Sequence, residues 1–117
     1  MILNLTPHPI RLYTPDRPDG LDDLELGLRL VIEPKARPAR LGVVPLSTEY
    51  RDGVPVELVQ YGTAVGLPRR AEGVSFIVSL ALALALAPRR DDLLVPYREV
   101  RNATGTVIGC RQLAQPV

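Results

Sequence analysis

The stretch that most constrains the fold is residues 72–97, EGVSFIVSLALALALAPRRDDLLVPY. Its first part, residues 74–78, predicts a buried strand. Leu and Ala then alternate from residue 80 to 87. The period of two alone would indicate a strand, but both residues are strong helix formers and neither is β-branched. We therefore predict a helix with Ser79 as its N-cap and Pro88 as its end.

This helix is expected to be largely buried, because leucines at every second position occupy its whole circumference. Residues 93–97 predict the next strand, so residues 74–97 are expected to form a strand-helix-strand crossover. The connection of 14 residues from Ser79 to Asp92 is long enough to join two parallel strands. The two strands are therefore predicted to run parallel.

The rest of the chain is predicted to be mostly extended. Residues 2–13 indicate a kinked or edge strand, because Pro7 and Pro9 cannot donate to a strand ladder. Gly109 is a candidate bulge in a terminal hairpin whose turn lies at 102–105. The sequence thus predicts an α+β fold, with a mixed, mostly antiparallel sheet and one main buried helix. Further strands are expected at 24–32, 35–44, 54–61 and 106–113.

Length and turn residues set the domain organisation. A chain of 117 residues predicts a single domain, 1–117. Within it, residues 14–23 combine Pro15, Pro18 and Gly20 with three aspartates, which predicts a mobile loop.

Composition excludes several partners. Aromatic residues make up 4% and the net charge is +1, so we expect no nucleic acid partner. Cys110 is the only cysteine, which predicts no intrachain disulfide and a cytoplasmic location, with the thiol buried rather than reactive. The longest apolar stretch, residues 74–87, is shorter than the ~20 residues of a spanning helix, so no membrane is expected.

The candidate binding residues begin with His8, the only histidine. Positions 4, 6 and 8 alternate together, so Asn4 and Thr6 are expected on the same strand face. His8 could act as a base or ligand, or it could simply occupy a bent strand. With no second histidine and no acid nearby in sequence, we predict no catalytic set, no metal site and no cofactor.

A second group could bind an anion. Ser79 is either a simple N-cap or part of an anion site at the helix start. Arg69 and Arg70 lie in the loop before the central strand and could reach a bound phosphate or carboxylate. We predict that His8, Thr6 and Asn4 converge with them there. By contrast, the second arginine pair, Arg89 and Arg90, is expected to be solvated or to pair with Asp91 and Asp92.

Three stretches, NLTPHPI, YGTAVGLPRRAEGVSFIVS and DDLLVP…GTVIGCR, resemble small proteins of phages and bacterial mobile elements that begin with an NLTPH-type stretch. The similarity covers most of the chain except residues 14–45. It implies a genomic setting and an accessory role, and it brings no catalytic residues.

The sequence therefore predicts a small non-enzymatic accessory protein that binds a host protein or a compact anionic, nucleotide-like ligand. The alternative is a small enzyme that acts on a phosphorylated or nucleotide substrate through His8. A structural subunit is a third option, and a homodimer is expected. A deep pocket joining His8, Thr6 and Ser79 would favour a ligand, whereas an exposed apolar patch or open sheet edge would favour a protein partner.

Overall fold

The computed structural model describes residues 1–35 and 37–117. Over these residues the chain forms eight strands and one short helix, so strands dominate an α+β arrangement. The elements are β1 (Ile2–Asn4), β2 (Ile10–Tyr13), β3 (Leu28–Ile32), β4 (Arg40–Arg51), β5 (Val54–Val65), β6 (Ser75–Ile77), α1 (Leu80–Leu86), β7 (Leu93–Arg101) and β8 (Val107–Ala114).

The main sheet is mixed. Its order is β1-β6-β7-β8-β2-β3, and β4 and β5 form a separate two-stranded ribbon. In the main sheet, β1 with β6, β6 with β7, and β2 with β8 are parallel, whereas β7 with β8 and β2 with β3 are antiparallel. The predicted mixed sheet is confirmed: three of its five strand pairs are parallel, but the two antiparallel pairs contain most of its paired residues.

The alternating Leu/Ala run is helical. Ser79 has extended backbone and its Oγ accepts a hydrogen bond from the Leu82 amide at 3.2 Å, so the predicted N-cap is confirmed. The prediction of a largely buried helix is wrong. Leu82 and Ala83 are buried against the sheet, but Leu80 and Leu84 are exposed because only one side of α1 is covered.

The predicted first strand is two strands at different places in the sheet. β1 lies at one edge beside β6, whereas β2 lies inside the sheet between β8 and β3. The turn between them contains Pro7 and Pro9, whose fixed φ and missing N–H groups break the strand.

The predicted strand 24–32 begins only at Leu28. Gly27 has a φ of 73°, and a Cβ at this position would lie 2.8 Å from Thr14 Oγ1. The preceding residues 24–27 therefore form a turn instead of a strand, despite their alternating leucines.

The main core lies on the α1 side of the sheet. Its buried residues come from the first strand region, from β6 and β7, and from the helix, and the base of the β4–β5 ribbon packs on them through Leu41 and Ala64. The buried members of this core are Leu5, Ala39, Phe76, Val78, Leu82, Ala83, Leu93 and Val95.

No helix in residues 1–35 and 37–117 is long and apolar enough to cross a membrane.

Residues 14–23, predicted as a mobile loop, surround the buried side chain of Arg17. Its guanidinium donates to the backbone carbonyls of Pro18, Leu21, Asp23 and Leu26, and it stacks 4.8 Å from the ring centre of Tyr13. These contacts favour an ordered segment, and its mobility remains a prediction.

The predicted bulge lies directly beside Gly109. One extra residue, Ile108, lies in β8 between the pairs Val100–Gly109 and Arg101–Val107. A Cβ on Gly109 would lie 2.5 Å from the Arg11 carbonyl oxygen and 2.7 Å from the Tyr13 ring. Glycine is therefore required because β2 passes this close to β8.

Candidate functional site

Asn4 is the centre of the turn that carries His8. Its side chain is 1% exposed, and Nδ2 donates to the carbonyls of His8 and Ile32 at 2.7 and 3.0 Å. Oδ1 accepts from the Thr6 amide and from Thr6 Oγ1 at 2.9 and 2.7 Å. The structure thus brings Asn4 and Thr6 together with the backbone of His8, but in a turn and not on the predicted strand face. The Asn4 amide is fully used within the protein.

His8 itself is exposed. Its imidazole makes no hydrogen bond or ion pair with the described part of the chain; only its backbone groups bond to Asn4 and Thr6. The ring lines a cleft of about 680 Å³ beside β2 and β8. Neither Thr6 nor Ser79 lines this cleft, so it does not join the three residues that were expected to share a pocket.

Ser79 and Arg70 lie at opposite ends of β6. Ser79 follows the carboxyl end of the strand and caps α1. Arg70 lies beside the amino end, where it forms an exposed ion pair with Asp91 at 2.6 Å. Arg69 is exposed in the same loop. The structure therefore does not assemble the predicted anion site around the helix start.

The predicted pairing of the second arginine group is confirmed for Arg90. Its Nε and Nη2 bond to the two carboxylate oxygens of Asp92 at 2.8 and 2.9 Å, and Nη2 also donates to the Pro68 carbonyl. The hydrogen bond from Arg90 lowers the pKa of Asp92 below its ordinary value. Cys110 is buried as predicted, and burial raises the pKa of its thiol.

The most exposed apolar feature is the ribbon of β4 and β5, residues 40–65, which we call the arm. Its turn is Asp52–Gly53, with φ values of 50° and 77°. Positive φ at both central residues is typical of a type I′ turn, whose twist matches that of two antiparallel strands. An Asp-Gly pair between extended segments is therefore what closes this ribbon.

Two register shifts of opposite sense divide the arm. One extra residue, Leu46, lies in β4 between the pairs Pro45–Val59 and Ser47–Leu58. The other shift places an extra residue in β5, at 62–63. Each bulge changes which residues share a face.

The face of the arm that contacts the core at its base continues outwards as an apolar strip. Leu41 and Ala64 pair at the base and pack on the core. On this same face, outwards through both bulges, lie Val43, Tyr61, Pro45, Val59, Thr48, Glu57, Tyr50 and Pro55, which we call the core-side strip.

The core-side strip is open to solvent. Val43 is 51% exposed, Tyr61 65% and Tyr50 72%. The arm also lengthens the molecule, since the radius of gyration is 16.9 Å, whereas a compact chain of this length would have about 13 Å. A long exposed apolar ribbon is unusual in a chain that works alone.

Sequence reasoning found only part of this arm. It predicted a strand over 54–61 and a weak extended piece over 35–44, but it did not join them as a hairpin. The signal was present in YRDGVPV, residues 50–56, where Asp52–Gly53 separates two extended segments.

No family model matches this chain, and no curated protein or solved structure is significantly similar to it. Across residues 1–35 and 37–117, no group of three or more His, Cys, Asp or Glu side chains is placed to hold a metal ion.

Proposed function

We propose that this chain is a non-enzymatic accessory protein of a phage or mobile element that acts in the cytoplasm by binding protein, and that its arm docks on a second copy of the chain. The observation that carries the proposal is the solvent-exposed core-side strip, which continues the apolar core outwards along a ribbon of two 12-residue strands. The sequence predicts either a protein or a compact anionic ligand as the partner, and the exposed strip favours a protein.

The composition and length of the strip suit a dimer. It runs along two 12-residue strands, and its exposed residues include Val43, Val59, Tyr50 and Tyr61. Apolar and aromatic residues of this kind dominate the interfaces between copies of one chain.

Charge also favours a second copy. The core-side strip contains a single charged residue, Glu57, which already accepts a hydrogen bond from Thr48. Two copies can therefore meet face to face about a two-fold axis with little like-charge repulsion. A single carboxylate on the strip offers little charge for an oppositely charged partner to recognise.

Sedimentation velocity on the full chain tests this proposal with two adjacent substitutions. Val43→Lys changes the core-side strip, and Val44→Lys is the matched control because Val44 is 54% exposed on the opposite face. Wild type is expected at twice the 12.8 kDa chain mass. Val43→Lys is expected to weaken dimerisation at least 100-fold, because each dimer would bury two unpaired charges, whereas Val44→Lys is expected to change it less than about 3-fold.

Three results would overturn the proposal. The first is a wild-type monomer at high micromolar concentration. The second is a dimer that survives Val43→Lys, which would place the interface elsewhere. The third is a monomer that captures a host protein in a way abolished by Val43→Lys and kept by Val44→Lys, which would make a host protein the occupant of the arm.

A further inference from the structure

The cleft at His8 has the size and lining of a small-molecule site. Its volume of about 680 Å³ lies within the roughly 300–1,000 Å³ typical of ligand pockets. Cys110 is buried and also lines this cleft. The apolar walls come from β2 and the turn before it, from β7 and β8, and from the loop before β3. They are Pro9, Ile10, Leu24, Pro96, Val107 and Ile108.

Two of the four polar side chains in the cleft are already committed to the fold. Asn102 Oδ1 accepts from the Thr104 amide, Thr104 Oγ1 and the Thr106 amide, which fixes the β7–β8 turn. Asp22 Oδ1 accepts from the Ala103 amide at 3.0 Å. Both groups therefore hold the rim of the cleft in place.

The other two polar side chains, those of His8 and Arg11, have no hydrogen-bond partner among residues 1–35 and 37–117. Arg11 is half-buried, and within residues 1–35 and 37–117 its guanidinium forms neither a hydrogen bond nor an ion pair with a side chain or carbonyl. The His8 imidazole is equally unpartnered and lies three residues away along the same wall. A guanidinium presents a planar pair of donors that matches a carboxylate or phosphate.

We propose that this cleft binds an organic anion with an apolar body, a carboxylate or phosphate ester whose oxyanion is held by Arg11 beside His8. The apolar walls take the body of the ligand, and Arg11 supplies the permanent charge. This site lies in the main sheet, uses no residue of the arm, and does not depend on the dimer.

His8 provides a reporter for this site, because a single histidine gives a single imidazole Hε1 resonance. The full chain is titrated at constant pH with octanoate, with octylammonium as the matched cation, and with inorganic phosphate as an anion without an apolar body. Octanoate is expected to shift the resonance saturably with a Kd of about 1 mM or tighter. Octylammonium and inorganic phosphate are expected to bind at least 10-fold more weakly.

Arg11→Gln is expected to weaken octanoate binding at least 10-fold while the far-UV circular dichroism stays that of wild type. Arg29→Gln is the control, because Arg29 is exposed on β3 and does not line the cleft. Equal binding by Arg11→Gln, equal shifts with octylammonium, or equal affinity for inorganic phosphate would each overturn the proposal. Loss of octanoate binding in Val43→Lys would also overturn it, because the ligand would then lie on the arm.

Discussion

Replacing Arg17 with methionine tests whether one side chain organises residues 14–27. Arg17 is 2% exposed, and its guanidinium donates four hydrogen bonds to backbone carbonyls, with distances from 2.7 to 3.2 Å. Methionine keeps much of the length and the apolar stem but removes every donor. The four carbonyls then lose a partner that no other side chain in the described part of this segment supplies.

The size of the effect follows from these contacts. A hydrogen bond from a charged donor contributes about 1.5–3 kcal/mol to stability. The simple sum over four such bonds overestimates the effect of one substitution, because hydrogen bonds that share a group are not additive. The segment lies near the surface, so water can reach the freed carbonyls. We therefore expect Arg17→Met to lower the free energy of unfolding by about 3–4 kcal/mol, a large part of the roughly 6–18 kcal/mol typical of this chain length.

Urea denaturation followed by circular dichroism measures this loss, and a fall in Tm of roughly 10–20 °C should accompany it. Arg17→Lys should lose more than half as much, because an ammonium cannot reach four carbonyls with the fork of a guanidinium. Arg29→Met is the control and should change the free energy by less than about 0.5 kcal/mol. A loss below about 1 kcal/mol in Arg17→Met, or one equal to the control, would refute the reasoning.

Three further predictions about the fold are tested by the same denaturation assay. Asn4→Ala should cost about 2–4 kcal/mol because four buried hydrogen bonds are lost, whereas His8→Ala should leave the Tm within a few degrees; equal losses would make His8 structural. Gly109→Ala should cost about 2–3 kcal/mol through its clash with β2, and Gly62→Ala, whose Cβ would meet only ordinary contacts, should cost less than half of that. The pKa of Asp92 is lower in the folded protein than its unfolded value of 3.8, so its pair with Arg90 stabilises the protein fully above pH 3.8. The difference in stability between wild type and Asp92→Asn should therefore shrink as the pH falls through the folded pKa. A difference that does not change with pH would contradict this assignment.

The elements that the sequence predicted well are those set by local chemistry. Ser79 caps a helix because its hydroxyl lies beside the first-turn amides, and Leu and Ala favour that helix whatever surrounds them. The strand over 93–97 also holds, although β7 extends to Arg101. The mixed α+β class could therefore be inferred from propensity and turn residues.

The elements that it missed depend on contacts distant in sequence. The prediction of a buried helix was wrong because burial depends on what covers α1, and Leu80 and Leu84 remain 57% and 58% exposed. The expected convergence of His8 with Ser79 was wrong for the same reason. The two residues follow neighbouring strands, but the cleft at His8 opens beside Arg11 and does not include Ser79. Arg11 could not be chosen from the sequence, because an arginine on a strand shows no sign of lacking a partner.

The two bulges of the arm also determine where its sequence can change length. Leu46 has no partner across the ribbon, so deleting it would leave every cross-strand pair in place. Deleting a paired residue of β4 between Leu46 and the turn instead would move each β4 residue from that point to the turn onto the opposite face. Related chains are therefore expected to gain or lose single residues at Leu46 or at 62–63, with Tyr50 still on the core side.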